Sequence, residues 1–460
     1  MRNKHLISIL ILLALLVPAV PAHAASYVTV CDESHFLSAL QSSDTVYFKC
    51  NGTITLTKTI TLSSYKVIDG YGYNVTISGN NAVQLFIVNS GVTVYLRQLT
   101  FANGRAQDGG GAISNHGDLR VFYSTFTGNT AVDEWNGWGG AIEMVWSNSK
   151  LQVGSSTFIG NHAAYAGGAI GGCGTMDIWN STFVNNTAEV AGGAIHNKGY
   201  LTVENSTFSG NSGISGAVST DQYGDETILK NTIVANSTGI YYSFDGNCYG
   251  LITDDGGNLS YPDTKCPGIN ANPLLGPLQN NGGWTQTMAL GAGSPAIDAA
   301  NDATCAASPV NGKDQRGITR PQGLHCDIGA VEQRPFSQPH PQFIDIDVKP
   351  VSDPNSVNCQ NENGIIAVAI LTTDTFDATT VDHTSVVFQG AKEAHVDKKT
   401  GEPVRHVEDV DGDGDMDLVF HFRMGDTHLT CLSFEGALWG ETFAGVPILG
   451  TDLIRMVNGG

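Results

Sequence analysis

A phrase ending in Thr-Phe recurs along the first half of the chain and limits what the chain can fold into. It reads LTFANG from Leu99, STFTGN from Ser124, STFIGN from Ser156, STFVNN from Ser181, STFSGN from Ser206 and NTIVAN from Asn231. The steps between copies are 25, 32, 25, 25 and 25 residues. A second phrase, GGAI or SGAV, runs in phase with the first, starting at Gly110, Gly139, Gly167, Gly192 and Ser215. A fixed period of this length is typical of a solenoid or propeller, in which each unit packs on its neighbours.

The composition of each unit decides between these architectures. The units hold two or three short runs typical of strands, broken by Gly and Asn, and none of them shows a helical period. A propeller blade needs about 40 residues and four strands, whereas about 25 residues suit one coil of a parallel β-helix with three short strands. The sequence therefore predicts an all-β fold with a parallel β-helix over residues 51–245.

The repeated letters have structural roles in such a coil. We expect the Phe of Thr-Phe and the Ile of GGAI to point inward and to stack on their equivalents, ~4.8 Å away in the next coil. The Asn after Thr-Phe-x-Gly should accept left-handed backbone geometry and hydrogen-bond to its equivalent in the next coil. Residues 25–50 include the run DESHFLSAL, which predicts a short helix that caps the open end.

The first 24 residues predict a secretory signal peptide. Arg2 and Lys4 precede an apolar run at 6–17, and the sequence AHA at 22–24 fits a cleavage site. The apolar run is shorter than the ~20 residues that span a bilayer. We therefore expect a mature chain without a membrane span that is secreted or lies on the cell surface.

The charge balance narrows the range of partners. The chain has 44 acidic and 23 basic residues, for a formal net charge of −21. Such a surface repels nucleic acid and anionic lipid, which we therefore exclude as partners. It is compatible with bound cations.

Nine cysteines agree with an oxidising compartment. Connectivity does not follow from sequence alone, but neighbours along the chain suggest the pairs Cys31–Cys50, Cys248–Cys266, Cys305–Cys326 and Cys359–Cys431. Cys173 is left over inside a repeat and is expected to be a buried, inert thiol. No Cys or His spacing resembles that of a zinc site.

Two resemblances follow from these phrases. From about residue 45 to 245 the chain resembles secreted right-handed parallel β-helix proteins of the pectin-lyase-like superfamily. The GGAI…STF…N phrasing is also similar to repeats of polymorphic outer-membrane and adhesin-like bacterial proteins. Both resemblances imply a right-handed parallel β-helix, and neither implies one particular activity.

The segment 246–332 contains the blocks PLLGPLQNNGG, GSPAIDA, DQRG, RPQG and CDIGAVE. Together they resemble the choice-of-anchor Q segment of bacterial surface and secreted β-helix proteins. This resemblance implies that the segment finishes and caps the helix. Four charged residues in it are candidates for catalysis, but we expect them to form hydrogen-bonded turns and ion pairs in the cap: Asp298, Asp314, Arg316 and Asp327.

The run QRPFSQPHPQ at 333–342 contains three prolines and predicts a linker. Beyond it, the alternating runs GIIAVAIL, TSVVFQ, DLVFHF and HLTCLSFEG predict a small antiparallel β-sandwich over 343–460. The phrases IDVKP, DPNSVN and GIIAVAIL resemble a C-terminal module appended to bacterial secreted proteins. That resemblance implies no enzymatic activity.

The run DVDGDGDMD has a carboxylate at every second position: Asp409, Asp411, Asp413, Asp415 and Asp417. These charges repel one another unless a hard cation neutralises them. The run matches the D-x-D-x-D-G calcium loop, with Gly414 at the sharp turn, but position 12 is Phe420 instead of Glu. We therefore expect a structural calcium loop between strands, not an EF-hand; a solvated acidic turn is the alternative.

The positions between the repeated letters are the remaining candidates for function. Glu143 and His196 follow their GGAI phrases at equivalent places two coils apart, or ~10 Å, near Trp135 and Trp138. Indole rings supply the flat apolar face of many sugar sites, so this set predicts a sugar-binding surface. The partner would be a polysaccharide or a cell-surface glycan.

The sequence assigns no catalytic residue. A hydrolase needs two carboxylates at a suitable separation, and a lyase needs a calcium cluster beside an Arg or Lys base. Neither signature appears in the sequence. We expect a secreted or surface β-helix scaffold with an adhesin-like role; the alternative is a polysaccharide-active enzyme, a lyase more than a hydrolase.

Overall fold

The computed structural model describes residues 25–457 except 222–224, 240–245, 334–340, 351, 353–354, 374, 432 and 434. The predicted signal peptide and most of the predicted linker lie outside the described residues. Regular structure within them is nearly all β. The helices are two α-helices, Glu33–Ser42 and Asp302–Ala306, and two single 3-10 turns, Ala378–Thr380 and Met424–Asp426.

Three long parallel sheets wind into the predicted β-solenoid. Sheet A has the strands Ser26–Val28, Thr45–Phe48, Lys66–Asp69, Thr93–Arg97, Asp118–Phe122, Lys150–Gly154, Thr175–Trp179, Tyr200–Glu204, Glu226–Lys230 and Ile252–Asp254. Sheet B has the strands Gly52–Thr55, Val75–Ser78, Leu99–Ala102, Thr125–Thr127, Thr157–Ile159, Thr182–Val184, Thr207–Ser209, Ile233–Ala235, Leu259–Tyr261 and Ile269–Asn270. Sheet C has the strands Ile60–Leu62, Phe86–Val88, Ile113–Asn115, Ile142–Met144, Ile170–Gly172, Ile195–Asn197, Val218–Thr220 and Cys248–Tyr249. A short fourth sheet joins Arg105–Ala106, Thr130–Ala131, His162–Ala163 and Thr187–Ala188.

The register of the sheets follows the sequence repeat, as predicted. The Phe of each Thr-Phe pairs with the Phe of the next coil, and the Ile of each GGAI pairs with its equivalent. The Phe rings stack with centroids 4.6–4.8 Å apart through the buried column Phe101, Phe126, Phe158, Phe183 and Phe208. The repeat is therefore a stacking unit whose constant letters make the core.

A buried ladder of asparagines runs beside the Phe column. The amide nitrogen of each side chain donates to the amide oxygen of the next, at 2.9 Å, along Asn129, Asn161, Asn186 and Asn211. The hydrogen-bonded column is confirmed, but the expected left-handed backbone is one residue earlier. The residue before each ladder asparagine has positive φ: 62° at Gly128, 58° at Gly160 and 55° at Asn185. Glycine and asparagine accept this left-handed conformation more readily than other residues.

The helix Glu33–Ser42 covers the open N-terminal end, as predicted. The Asp32 side chain accepts from the His35 backbone N–H and caps its first turn. Its buried Phe36 lies 5.6 Å from the Phe48 ring and 6.4 Å from the Phe86 ring, measured between centroids. The helix thereby keeps the first core rings out of water.

Residues 272–332, here named the strap, complete the solenoid and then run back along the outer face of sheet B. The strap contains an antiparallel hairpin of Leu275–Gln279 and Thr287–Leu290. Gln315 hydrogen-bonds to the hydroxyls of Thr157 and Thr182 at 2.8 and 2.6 Å. The strap thus spans several coils along the side of the solenoid. It reaches further than the terminal cap that the sequence predicts.

The charged residues of the strap stabilise its turns, as expected. The Arg316 guanidinium contacts the buried Asp314 carboxylate at 2.7 Å. The Asp327 carboxylate accepts the Asp298 backbone N–H at 2.7 Å. These groups are therefore engaged in hydrogen bonds and ion pairs within the strap.

Residues 341–457 form a module of small sheets around one core. Its five-stranded sheet joins Gln342–Phe343, Pro447–Leu453, Glu435–Glu441, Val387–Phe388 and Ala391–Lys392, and its four-stranded sheet joins Ile346–Val348, Ile365–Ile370, Asp417–Arg423 and His406–Glu408. A third sheet pairs Ser356–Asn358 with Arg455–Val457 in parallel. Both larger sheets are mainly antiparallel and contribute to the core, as predicted for a sandwich. The run HLTC, predicted as part of a strand, lies outside any strand.

The module packs on the solenoid through a buried charge cluster. Arg97 is 2 % exposed and contacts Asp69 of the solenoid at 3.2 Å, and Glu435 and Asp452 of the module at 3.3 and 3.9 Å. Burial disfavours its charge, yet the three carboxylates raise the pKa of Arg97. A guanidinium in this position pairs the two units electrostatically.

Four disulfides join the pairs that neighbouring cysteines suggest: Cys31–Cys50, Cys248–Cys266, Cys305–Cys326 and Cys359–Cys431. Cys173 is free and partly exposed, and is not the buried thiol expected from its place in the repeat. It follows directly after the strand Ile170–Gly172, where the chain leaves the sheet toward solvent.

Candidate functional site

A cleft of about 1030 Å³ lies on the outer face of sheet A. Its floor is made of outward-facing side chains of the solenoid. Its walls are made of the strap residues Ser308 and Pro309 and of module residues that include 453–456. The volume lies near the upper end of the range of small-ligand sites. Packing of the module against the solenoid therefore creates a concave site from a flat sheet.

One column of the floor carries a different polar or aromatic side chain in each coil. The register places Tyr95, Arg120, Gln152, Asp177 and Thr202 at equivalent positions of five consecutive strands. Successive members are therefore ~4.8 Å apart. A regular row of this kind suits an extended ligand with its own short repeat.

The aromatic end of the floor is held in place by Arg120. Its guanidinium donates to the Tyr95 hydroxyl at 2.8 Å and pairs with Asp118 at 2.9 Å. The Tyr65 ring lies 6.0 Å from the Tyr95 ring and is 41 % exposed. Both rings line the cleft, where they offer apolar faces beside a charged donor.

The acidic end of the floor contains Asp177 and Glu204. Burial raises the pKa of both carboxyl groups, and the Glu204 carboxylate contacts the Lys230 ammonium at 3.1 Å. Between the two ends, the Gln152 side-chain oxygen is buried and has no hydrogen-bond partner among the described residues. The cleft thus presents donors, acceptors and ring faces, which is the chemistry that recognises sugar hydroxyls and pyranose rings.

The predicted sugar-binding residues lie elsewhere, on and beside sheet C. Glu143 and His196 occupy equivalent positions two coils apart with Gly171 between them, as the repeat predicts. The centroids of the Trp138 and His196 rings lie 5.2 Å apart. The structure therefore brings Trp138 and His196 together.

Trp138 is partly covered by its neighbours. The Tyr165 ring lies 4.8 Å away, and the Lys198 ammonium lies 4.7 Å from the centre of the indole. His196 is 5 % exposed, and Nδ1 of its ring forms a hydrogen bond of 2.7 Å with the Ser219 hydroxyl. Burial lowers the pKa of His196 to about 4. His196 is therefore covered, whereas Trp138 keeps part of its surface exposed.

The other two predicted residues are separate from that cluster. The Glu143 carboxylate accepts from the Ser114 hydroxyl at 2.9 Å, and burial raises its pKa. Trp135 is 77 % exposed in a turn outside the sheets. None of the four predicted residues lines the cleft on sheet A.

The five alternate aspartates divide into two groups. Carboxylate oxygens of Asp409, Asp411 and Asp413 lie within 4.8 Å of one another. Partial burial and the neighbouring Asp413 raise the pKa of Asp415 to about 6, and one of its oxygens has no hydrogen-bond partner in the described structure. These groups fit a hard cation.

The fifth aspartate has a different role. Asp417 is buried, and its two oxygens accept the backbone N–H groups of Thr372 and Val410, each at 2.8 Å. It therefore closes the base of the loop by backbone hydrogen bonds, and it lies outside the converging carboxylates. Alternation of Asp in the sequence could not separate these roles.

Sequence reasoning missed a cluster of three histidines in the module. Ring nitrogens of His395, His406 and His421 lie within 4.8 Å of one another. Their spacings of 11 and 15 residues match no zinc motif, because they come from three segments that only the fold brings together. The sequence spacing of zinc motifs therefore could not predict this cluster.

The fold defines the chain as a repeat protein of the parallel β-solenoid class. Within its coils, residues 123–143 and 180–198 match the family described as the Chlamydia polymorphic membrane protein repeat. No curated protein and no solved structure matches the chain significantly. Among the described residues, no helix has the length and apolar character needed to cross a membrane.

Proposed function

We propose that the protein is a secreted or cell-surface scaffold with an adhesin-like role. The matched repeats are those of the Chlamydia polymorphic membrane protein repeat family, and they coincide with coils of the solenoid. Their constant letters are used for stacking, so a long rigid body presents variable side chains outward. Such a body suits display and attachment more than catalysis.

The cleft on sheet A is the binding site of this scaffold, and its ligand is a glycan. The single observation that carries this assignment is the row of one polar or aromatic side chain per coil, which begins at Tyr95 beside the exposed Tyr65 and reaches the carboxylate Asp177 three coils later. Sugar rings stack on such aromatic faces, and their hydroxyls bond to both donors and acceptors.

The charge of the protein selects the kind of glycan. The net charge of −21 and the carboxylates Asp177 and Glu204 in the cleft repel a polyanion. A neutral oligosaccharide avoids this repulsion and can donate its hydroxyls to both carboxylates. The same repulsion weighs against the alternative function, that of a lyase acting on acidic polysaccharides.

A binding assay tests the proposal. Immobilised neutral oligosaccharides of the gluco, galacto and manno types are probed with the full chain and with the variant Tyr95→Ala. Loss of one stacking ring is expected to weaken binding about tenfold. Tyr200→Ala is the matched control, because Tyr200 is a tyrosine of sheet A that is 58 % exposed outside the cleft.

Other outcomes separate the alternatives. If Trp135→Ala and Trp138→Ala abolish binding while Tyr95→Ala does not, the sugar site lies beside sheet C as the sequence predicts. If no oligosaccharide binds, the glycan ligand is wrong. Release of unsaturated uronic products from acidic polysaccharides, with or without calcium, would establish the enzymatic alternative.

We also propose calcium as a structural ion of the loop at 409–417. Asp409, Asp411 and Asp413 supply converging oxygens, and Asp415 adds an unpartnered oxygen, which is the oxygen-rich set that Ca²⁺ prefers. When bound, the ion neutralises the mutual repulsion of these carboxylates. Asp417 stabilises the loop from below through the backbone.

A further inference from the structure

The three histidines of the module form a compact group of imidazoles. The rings of His395 and His406 are stacked at 4.7 Å between centroids, and the His421 ring stands nearly perpendicular to that of His406 at 5.3 Å. Nε2 of His406 lies 2.7 Å from Nδ1 of His395. Nδ1 of His421 is buried and has no hydrogen-bond partner among the described residues.

The strand pairing brings two of these side chains to one face of the sheet. The strand His406–Glu408 pairs with Asp417–Arg423, and His406 lies opposite Val419. His421 follows two residues later on the same strand, so its side chain is on the same face as that of Val419. His406 and His421 are therefore diagonal neighbours across the pair.

A buried carboxylate positions the third histidine. Glu393 is 6 % exposed, and its two oxygens accept the backbone N–H groups of His395 and His421 at 2.7 and 2.8 Å. The Ala394 N–H donates to the His421 carbonyl at 2.7 Å, so this segment continues the edge of the sheet beyond His406, the first residue of the strand His406–Glu408. Both histidine backbones are thus fixed to one carboxylate.

We propose that His395, His406 and His421 bind one divalent transition-metal ion of the zinc class. Zn²⁺ takes imidazole nitrogens at ~2.0–2.1 Å in a tetrahedral arrangement, which places ligand nitrogens ~3.3 Å apart. The nitrogens of the cluster already lie within 4.8 Å, so small side-chain rotations bring all three to one ion. Three histidines leave the fourth position for water or for a partner's side chain.

This site is distinct from the aspartate loop on the same hairpin. The loop connects the strands His406–Glu408 and Asp417–Arg423 and offers only oxygen, the ligand of hard cations. The histidines are at the open end of the hairpin and offer only nitrogen, which favours zinc, nickel or copper. Two chemically different ions thus secure the two ends of one hairpin.

The test is zinc binding by the full chain produced without a histidine tag. Titration calorimetry in excess Ca²⁺ is expected to show one Zn²⁺ bound with a Kd on the order of 1 µM or tighter. His406→Ala and His421→Gln should each weaken binding at least about tenfold. Co²⁺ in place of Zn²⁺ should give the visible absorption of a tetrahedral site.

Matched variants make the result unambiguous. His428→Ala removes an exposed histidine of the same module outside the cluster and should leave the affinity unchanged. Circular dichroism identifies variants that fail to fold, and His395→Gln then provides a milder change at the exposed member of the cluster. Zinc affinity that is absent, or equal in wild type and in folded cluster variants, would overturn the proposal.

Discussion

Asn186 shows how one side chain serves three coils of the solenoid. Its amide nitrogen donates to the Phe158 carbonyl and to the Asn211 side chain, and its amide oxygen accepts from Asn161. All four groups are buried from water. Each donor and acceptor of this ladder therefore depends on its neighbours in the previous and next coils.

Asn186→Ala is expected to lower the free energy of unfolding by about 2–4 kcal/mol, because it leaves several buried polar groups unpaired. Chemical denaturation monitored by circular dichroism measures the change. Glu189→Ala, at a position 68 % exposed in the same coil, should change stability by less than about 0.5 kcal/mol. Equal effects of the two substitutions would show that the ladder contributes no stability.

At the scale of single residues, the sequence predicted well which side chains face the core. It did not predict which polar side chains come together in the fold. Phe183 and Ile170 were identifiable because they recur with the period of the coil. Asp417 looked identical to Asp409 in the alternating run, and only the fold shows that it binds backbone N–H groups. His395, His406 and His421 are far apart in sequence, so their proximity depends on strand pairing.

Among the elements, the hairpin that carries the aspartate loop gives the clearest prediction. Asp411→Asn removes one charge from the converging carboxylates and should weaken Ca²⁺ binding at least tenfold if the loop binds the ion. Calorimetry on the full chain measures this affinity. The exposed Asp426→Asn in the same module is the control and should have no effect.

The measured Ca²⁺ affinities show whether the loop binds the ion and which aspartates are its ligands. If wild type binds no Ca²⁺, the loop is the solvated acidic turn that the sequence left as the alternative. If Asp417→Asn removes binding as strongly as Asp411→Asn while the module remains folded, Asp417 is a ligand in addition to its backbone role.

The elements themselves were largely predictable. Coils, the N-terminal helix and the main strands of the module follow from periodicity and turn residues, which are local properties. The path of the strap was not predictable, because Gln315 reaches Thr157 and Thr182 through contacts more than 130 residues apart in the chain. The cleft on sheet A depends on that path and on the position of the module.

At the scale of the whole molecule, acidic groups dominate the contact between module and solenoid. Asp345 faces Asp69 and Arg97, and burial followed by the Asp69 charge raises the pKa of Asp345 to about 7. Burial also raises the pKa values of Asp452 and Glu435 beside the same Arg97. One guanidinium is therefore shared by more carboxylates than it can neutralise.

This arrangement predicts that the folded molecule loses stability as pH rises. The Asp345 carboxyl is protonated in the fold up to about pH 7 but titrates near 3.8 when unfolded, so its contribution is complete below pH 3.8 and is lost between pH 3.8 and 7. Asp345→Asn should raise Tm by about 2–4 °C at pH 8 and have little effect at pH 4.

Scanning calorimetry at the two pH values measures this difference. Asp426→Asn, an exposed aspartate of the module, should shift Tm equally little at both. A lower Tm for Asp345→Asn at pH 8 would mean that ionised Asp345 stabilises the contact with Arg97, contrary to this account.

The long step of the repeat has a consequence for how such a protein can diversify. The coil between Ser124 and Ser156 carries longer turns on both sides of the strand Ile142–Met144, yet this strand pairs in register with the coils before and after it. The added residues include the exposed rings of Trp135 and Trp146. Insertions at these turns leave the stacked core unchanged, so natural selection can vary the exposed surface of one coil without redesigning its neighbours.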